Sequence, residues 1–270
     1  MRAQSTTLMK SNLQIAITAA ISAGKEILKV YDSDFSVETK EDASPLTLAD
    51  EKSNDVINQF LLETNIPIIS EENKQLDYSI RKTWNKCWIV DPLDGTKEFI
   101  KRNGEFTVNI ALVEEGAPIL GVIYVPVSKE LYFTSEDAKS SYKITIQEDA
   151  SVENLIESAI QITPSEISEP VKIVGSRSHL NEDTKTYISE IEKNKSVEIV
   201  SKGSSLKFCL VAEGAAHIYP RFAPTMEWDT AAGHAICEAA GVSVINQETQ
   251  QPLRYNRENL LNPYFLVKVS

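Results

Sequence analysis

Two aspartates three residues apart, Asp91 and Asp94, frame the hexapeptide Asp91-Pro92-Leu93-Asp94-Gly95-Thr96. Pro92 fixes one backbone dihedral and Gly95 permits close approach of the chain, so both carboxylates and the Leu93 carbonyl can be turned towards one point. Hard divalent cations take an all-oxygen cluster of this kind. A cation held there could act as a Lewis acid or lower the pKa of a bound water. The plainer alternative is a turn, because Asp-Pro and Asp-Gly are common turn dipeptides, and on the dipeptides alone it is the better reading.

The carboxylates fall where strands end. Cys87-Trp88-Ile89-Val90 is an apolar run that stops at Asp91, and Ile68-Ile69-Ser70 is another that stops at Glu71-Glu72. Sites in α/β folds are built at such strand ends. Apolar residues at helical spacing predict helices over about 11–31 and about 48–63, the second with Thr47 as its N-cap and Asp50 in its first turn. Phe106–Val113, Ile119–Val127 and Glu130–Thr134 are strand-like runs with turn residues and no helix between them, the pattern of an antiparallel meander. The polar stretch 135–170 reads as irregular and as the boundary between two lobes, 1–140 for metal and 141–270 for substrate. Beyond it come a strand at Val171–Val174, a helix near 181–193, a strand at Val197–Val200, a helix near 204–213 and a strand at His217–Tyr219. Asp229 then opens a small-residue helix that stops at Gly241.

A chain of 270 residues, 42% apolar and 24% charged, has enough apolar material for a large core. Its formal charge of −12 excludes a nucleic-acid surface, which needs basic patches. A small anionic substrate is still allowed where metal ions and a few local cations reverse the potential. Cys87, Cys209 and Cys237 are odd in number and far apart, which suggests neither disulfides nor zinc but reduced thiols in the cytoplasm. Leu13–Ala23 is interrupted by Gln14 and Thr18 and reads as part of an amphipathic helix, not a signal segment or a membrane span. His217 and His234 read as structural, and no Gly-rich phosphate loop of the P-loop kind is present.

The longer string Trp88-Ile89-Val90-Asp91-Pro92-Leu93-Asp94-Gly95-Thr96, with Glu71 upstream and Trp228-Asp229 downstream, resembles the inositol monophosphatase-like superfamily of metal-dependent, lithium-sensitive phosphatases. The resemblance covers essentially the whole chain. It is closer still to the bacterial 3′(2′),5′-bisphosphate nucleotidases of sulfate assimilation, through Lys97–Thr107, Gly175–His179, Gly203–Cys209 and Tyr219–Phe222. That resemblance implies an α/β (α+β) fold, a layered α-β-α-β-α sandwich of two lobes with the site at their junction. It implies about two or three Mg²⁺ ions held by Glu71, Asp91, the Leu93 carbonyl, Asp94 and Asp229.

By the same resemblance, Asp50 and Thr96 form a water-activating pair, and Glu71 joins them in the catalytic set. The N–H groups of Gly95 and Thr96 would receive a phosphate oxygen. Lys207 and Arg221 would hold a second phosphate, with Ser204, His179 and Asp229 also touching substrate. Each residue has a plainer reading beside this one: Glu71 as half of an exposed acidic pair with Glu72, Asp229 as a helix N-cap, Asp50 as a first-turn carboxylate, Lys207 and Arg221 as solvated charges. The expected enzyme is a phosphoric monoester hydrolase that converts adenosine 3′,5′-bisphosphate to AMP and phosphate by in-line attack of a metal-activated water, without a phosphoenzyme. 3′-Phosphoadenylyl sulfate is a second candidate substrate. Three competitors stay open: an inositol or sugar-phosphate phosphatase sharing every metal ligand, a non-catalytic regulator that binds metal or a phosphometabolite, and a structural or interaction protein. Oligomeric state and peripheral contact with the inner membrane are left open as well.

Overall fold

Leu13, Ala16, Ile17, Ala20, Ala23 and Ile27 recur at three or four residues and make one buried face of helix α1 (Asn12–Tyr31). Its first turn closes with a capping box, in which Ser11 Oγ accepts from Gln14 N at 3.2 Å and Gln14 Oε1 accepts from Ser11 N at 3.0 Å. A short antiparallel pair, β1 (Val37–Thr39) and β2 (Pro45–Thr47), leads into α2 (Leu48–Leu61). Next come β3 (Ile68–Ser70), α3 (Tyr78–Arg81), β4 (Lys86–Asp94), α4 (Thr96–Ile100), β5 (Thr107–Glu114), β6 (Ala117–Val125) and β7 (Glu130–Thr134). The computed structural model describes residues 11–33, 37–39, 45–147, 150–175 and 181–269.

The stretch expected to be irregular carries β8 (Ser141–Thr145), α5 (Val152–Ser158) and β9 (Ile160–Ile162). Both strands extend the first sheet, whose order is β3-β4-β5-β6-β7-β8-β9. A boundary at 140 would therefore cut two strands from the sheet that pairs them, and the change of sheet comes after Ile162. Helical and strand elements then alternate: β10 (Val171–Gly175), α6 (Glu182–Glu192), β11 (Val197–Ser201), α7 (Leu206–Ala212), β12 (Ile218–Arg221) and α8 (Ala231–Ala239). β13 (Val242–Asn246) and β14 (Phe265–Val269), unassigned from sequence, complete a second sheet of order β11-β10-β12-β14-β13.

Strand parity shows how the layers stack. Trp88 and Val90 of β4 pack with α1 and α2, whereas Cys87 and Ile89 pack with α7, α8 and the inner face of the second sheet. With both faces covered, the strand needs apolar residues in succession, which is why this run does not alternate. Gly121 of β6 lets α8 come close: a Cβ there would lie 2.4 Å from the Ala232 carbonyl oxygen. α6 covers the outer face of the second sheet through Ile188, against Val171, Ile173 and Ile218. The result is the expected α-β-α-β-α sandwich. Among the described residues no helix is long and apolar enough to cross a membrane, and the three cysteines are free and buried.

Candidate active site

Asp91 stands opposite Asn109 of β5, and the register then slips so that Asp94 stands opposite Thr107. The irregularity holds Pro92, which could not have donated to the ladder in any case. Asp91 Oδ1 accepts from Leu93 N at 3.1 Å, and Ser53 Oγ of α2 donates to the Pro92 carbonyl at 2.6 Å. Asp91 is thus a turn former, as its dipeptide suggested, and Ser53 fixes that turn against α2. Gly95 follows with φ +97° and starts α4, where a Cβ would meet Ser204 Cβ at 3.3 Å and the Glu105 carbonyl at 3.4 Å. A cluster of Tyr31, Phe99 and Phe106, with ring centroids 5.1 to 5.2 Å apart, anchors α4 beneath the site.

Asp91 is 1% exposed. Burial raises its carboxyl well above the usual range, and the charges of Glu71, Asp94, Asp229 and Asp50 push it the same way. The chain therefore brings together five acidic groups, from the ends of β3 and β4, the first turn of α2 and the turn before α8. Asp229 is pushed up to about 7, first by burial and then by Asp94, against the pull of the Met226 N–H that donates to its Oδ2 at 2.8 Å. It closes a short 3₁₀ turn, Glu227–Asp229, ahead of α8; the expected position at the N-terminus of that helix is held by Thr230.

Buried carboxylates that repel one another are stabilised by protons or by cations. The donors here are all hard oxygens, and the neighbouring Thr107 Oγ1 and Asn109 Oδ1 are buried with no hydrogen-bond partner. This chemistry fits Mg²⁺. Among the described residues no three acidic, His or Cys side chains stand in ligating geometry.

A cavity of about 500 Å³ adjoins the cluster and is lined by Asp94, Ser204, Lys207, Tyr219, Arg221 and Asp229. Lys207 Nζ donates to the Ser204 carbonyl at 2.8 Å, 5.8 Å from the centre of the Tyr219 ring. Burial lowers the Lys207 pKa, so its charge is held at a cost that an anion would relieve. Arg221 Nη2 donates to the Pro224 carbonyl at 3.0 Å, while its buried Nε has no partner. Ser204 is placed less favourably for substrate than expected, because its hydroxyl proton goes to the Glu105 carbonyl at 2.8 Å. His179 lies outside the described residues. Thr96 is the first residue of α4, beside Gly95, and Asp50 is 3% exposed.

A family model described as the inositol monophosphatase family matches residues 9–264. The chain belongs to the inositol monophosphatase family. The 3′(2′),5′-bisphosphate nucleotidase CysQ of Escherichia coli (strain K12) is 44% identical to it over 255 residues, covering 93% of this chain and 96% of that protein. Among solved structures, CysQ from Bacteroides thetaiotaomicron superposes with a TM-score of 0.87 at 50% identity, covering 97% of this chain and 98% of that one. The suhB protein of Bartonella henselae shares the fold, with a TM-score of 0.72 at 24% identity and coverage of 95% and 93%.

As an inositol monophosphatase family chain, the protein places three further cations on its cavity, Lys97, Lys101 and Lys202, that sequence reasoning passed over. They were legible only as a basic scatter, because Lys97 and Lys101 are brought to the rim by the short α4 and Lys202 by a distant loop. His217 and His234 are structural: His217 Nδ1 accepts from Lys172 N at 3.0 Å, and His234 lies between Tyr255 and Glu238.

The raised carboxyls carry a pH signature. A group with a pKa of about 7 in the folded chain keeps a proton that the unfolded chain has lost, so the metal-free protein loses this contribution to stability as pH rises from about 4 through 7. Asp229→Asn, which cannot charge, should therefore gain on the wild-type melting temperature between about pH 5 and about pH 8, both proteins being metal-free. A difference in melting temperature that stays flat across that range would contradict a raised Asp229 carboxyl.

Proposed function

We propose that this chain is a Mg²⁺-dependent 3′(2′),5′-bisphosphate nucleotidase of the cytoplasm, hydrolysing adenosine 3′,5′-bisphosphate to AMP and phosphate in sulfate assimilation. The observation that carries the proposal is the joining of two opposite electrostatic features: five carboxylates gathered around the buried Asp91 and Asp50, and beside them a cavity holding Lys207 and an Arg221 whose Nε is unpaired. A monophosphate needs only the first. A second phosphate entering a chain of charge −12 needs the second as well. Relatives at 44% and 50% identity, matched over nearly their whole length, bear the name CysQ, and the first is called a 3′(2′),5′-bisphosphate nucleotidase.

In this proposal Glu71, Asp91, the Leu93 carbonyl, Asp94 and Asp229 hold about two or three Mg²⁺ ions, which when bound neutralise the phosphoryl group and make a water acidic enough to attack near neutral pH. Asp50 accepts the Thr96 hydroxyl proton, and Thr96 in turn orients the attacking water. The N–H groups of Gly95 and Thr96 receive a non-bridging phosphate oxygen. Lys207 and Arg221 bind the 5′-phosphate and so align the 3′-phosphorus with the water. The water oxygen bonds to phosphorus and gives up a proton, the P–O3′ bond breaks, and the departing 3′-oxygen takes up a proton from solvent, so one proton is lost and one gained. The test is to run the reaction with Mg²⁺ in ¹⁸O-labelled water. AMP should form with one labelled oxygen in the released phosphate and none in AMP, and chelation with EDTA should stop it. Label in the nucleoside, or release unaffected by EDTA, would refute the proposal.

A further inference from the structure

Ser205 makes an unusual use of its place in the chain. It is the N-cap residue of α7, where a serine ordinarily accepts from the N–H groups of the helix it starts. Here the side chain makes no capping bond, and the residue itself has helical dihedrals. Its hydroxyl turns instead into the lobe junction, where it is 2.7 Å from Asp94 Oδ2, 3.0 Å from the Asp229 carbonyl oxygen and 2.8 Å from Asn109 Nδ2. Ser205 is 2% exposed and Asn109 is 1% exposed.

A hydroxyl has one proton and two lone pairs. Asn109 Nδ2 donates to a lone pair, which leaves the proton for an acceptor. The carboxylate of Asp94 is the nearer and the charged one, and charge-assisted bonds are the stronger. The Asp229 carbonyl is reached by rotating the same hydroxyl. Asn109 also approaches Asp94 Oδ2 at 3.4 Å, so its amide backs both members of the pair. Asp94 and Asn109 belong to the first sheet, whereas Ser205 and Asp229 belong to the segments packed between the two sheets. One buried oxygen therefore touches an acidic residue from each side of the junction.

We infer that Ser205, oriented by Asn109, is a positioning residue that sets the Asp94 carboxylate relative to Asp229 for a divalent cation. Nothing in this role requires Ser205 to touch the ion or the substrate. The inference rests on the metal-site proposal above. It also explains why two serines stand in succession at 204 and 205: with Ser204 at φ +41°, its own hydroxyl is directed to the Glu105 carbonyl and the next one is turned to Asp94.

The test compares Mg²⁺ binding, by calorimetry and by the Mg²⁺-induced rise in melting temperature, in wild type, Ser205→Ala, Ser205→Thr and Asp94→Asn. Outer partners of metal ligands change affinity by about 10- to 100-fold. Ser205→Ala should weaken Mg²⁺ by a factor in that range, with a parallel rise in the Mg²⁺ needed for half-maximal activity and a much smaller change in substrate KM. Ser205→Thr, which keeps the hydroxyl, should recover most of the affinity. If Ser205→Ala only lowers the melting temperature of the metal-free protein and binds Mg²⁺ as wild type does, Ser205 is merely structural and the inference is overturned. If Asp94→Asn also binds Mg²⁺ as wild type does, it is the metal-site proposal beneath that fails.

Discussion

Asp91→Asn and Asp94→Asn are each expected to reduce turnover on the order of a thousandfold, well beyond the loss of about 10- to 100-fold typical of outer metal partners. Each change removes a charge and keeps the shape. In Asp91→Asn the new amide oxygen can still accept from the Leu93 N–H that shapes the turn, so the fold should survive. A second consequence separates loss of a ligand from damage to the fold. The charge on Asp91 is opposed by burial and by four neighbouring carboxylates, so its removal should raise the melting temperature of the metal-free protein near pH 8 and diminish the further rise on adding Mg²⁺. An enzyme that is inactive, more stable without metal and less responsive to it would be the expected result. Activity within about threefold of wild type would remove both residues from the site.

The other large effect concerns the choice of substrate. Lys207→Met and Arg221→Met should each lower kcat/KM for adenosine 3′,5′-bisphosphate about tenfold to a hundredfold, the factor implied by a charge-assisted hydrogen bond of about 1.5–3 kcal/mol. Methionine approximates the apolar stem of either side chain, so the cavity should keep its walls. Hydrolysis of a simple monophosphate should change far less, because it has no second phosphate for these cations to hold. Equal losses on both substrates would show that these residues do not read a second phosphate.

Much of the architecture was legible because it rests on local periodicity. The periodic apolar face of α1, the apolar run of β4 and the meander of β5 to β7 each have a signal within a short window of sequence. β8 and β9 did not, because they lie towards the margin of the sheet, β8 mixes polar with apolar residues and β9 is only three residues long. Lys143 of β8 finds its partners in Glu130, across the ladder at 2.7 Å, and in Glu213, at 2.9 Å on the loop after α7. No short window contains Glu213 with Lys143. The acidic cluster was legible only through the resemblance that several motifs carry together, since Asp50, Glu71, Asp91 and Asp229 come from four separate segments. Asn109 and Ser205 were hidden for another reason: each looks like an ordinary polar residue until the register of β5 and the left-handed turn at Ser204 show which way it points.

The most direct measurement is the rate of phosphate release by the wild-type chain with Mg²⁺, on adenosine 3′,5′-bisphosphate, inositol monophosphate and fructose bisphosphate. Mg²⁺-dependent release with kcat/KM highest for the adenosine bisphosphate, by about tenfold or more over inositol monophosphate, is the expected result, since the second phosphate adds at least one charge-assisted contact. A preference for inositol monophosphate, or no release from any of the three, would contradict a bisphosphate nucleotidase.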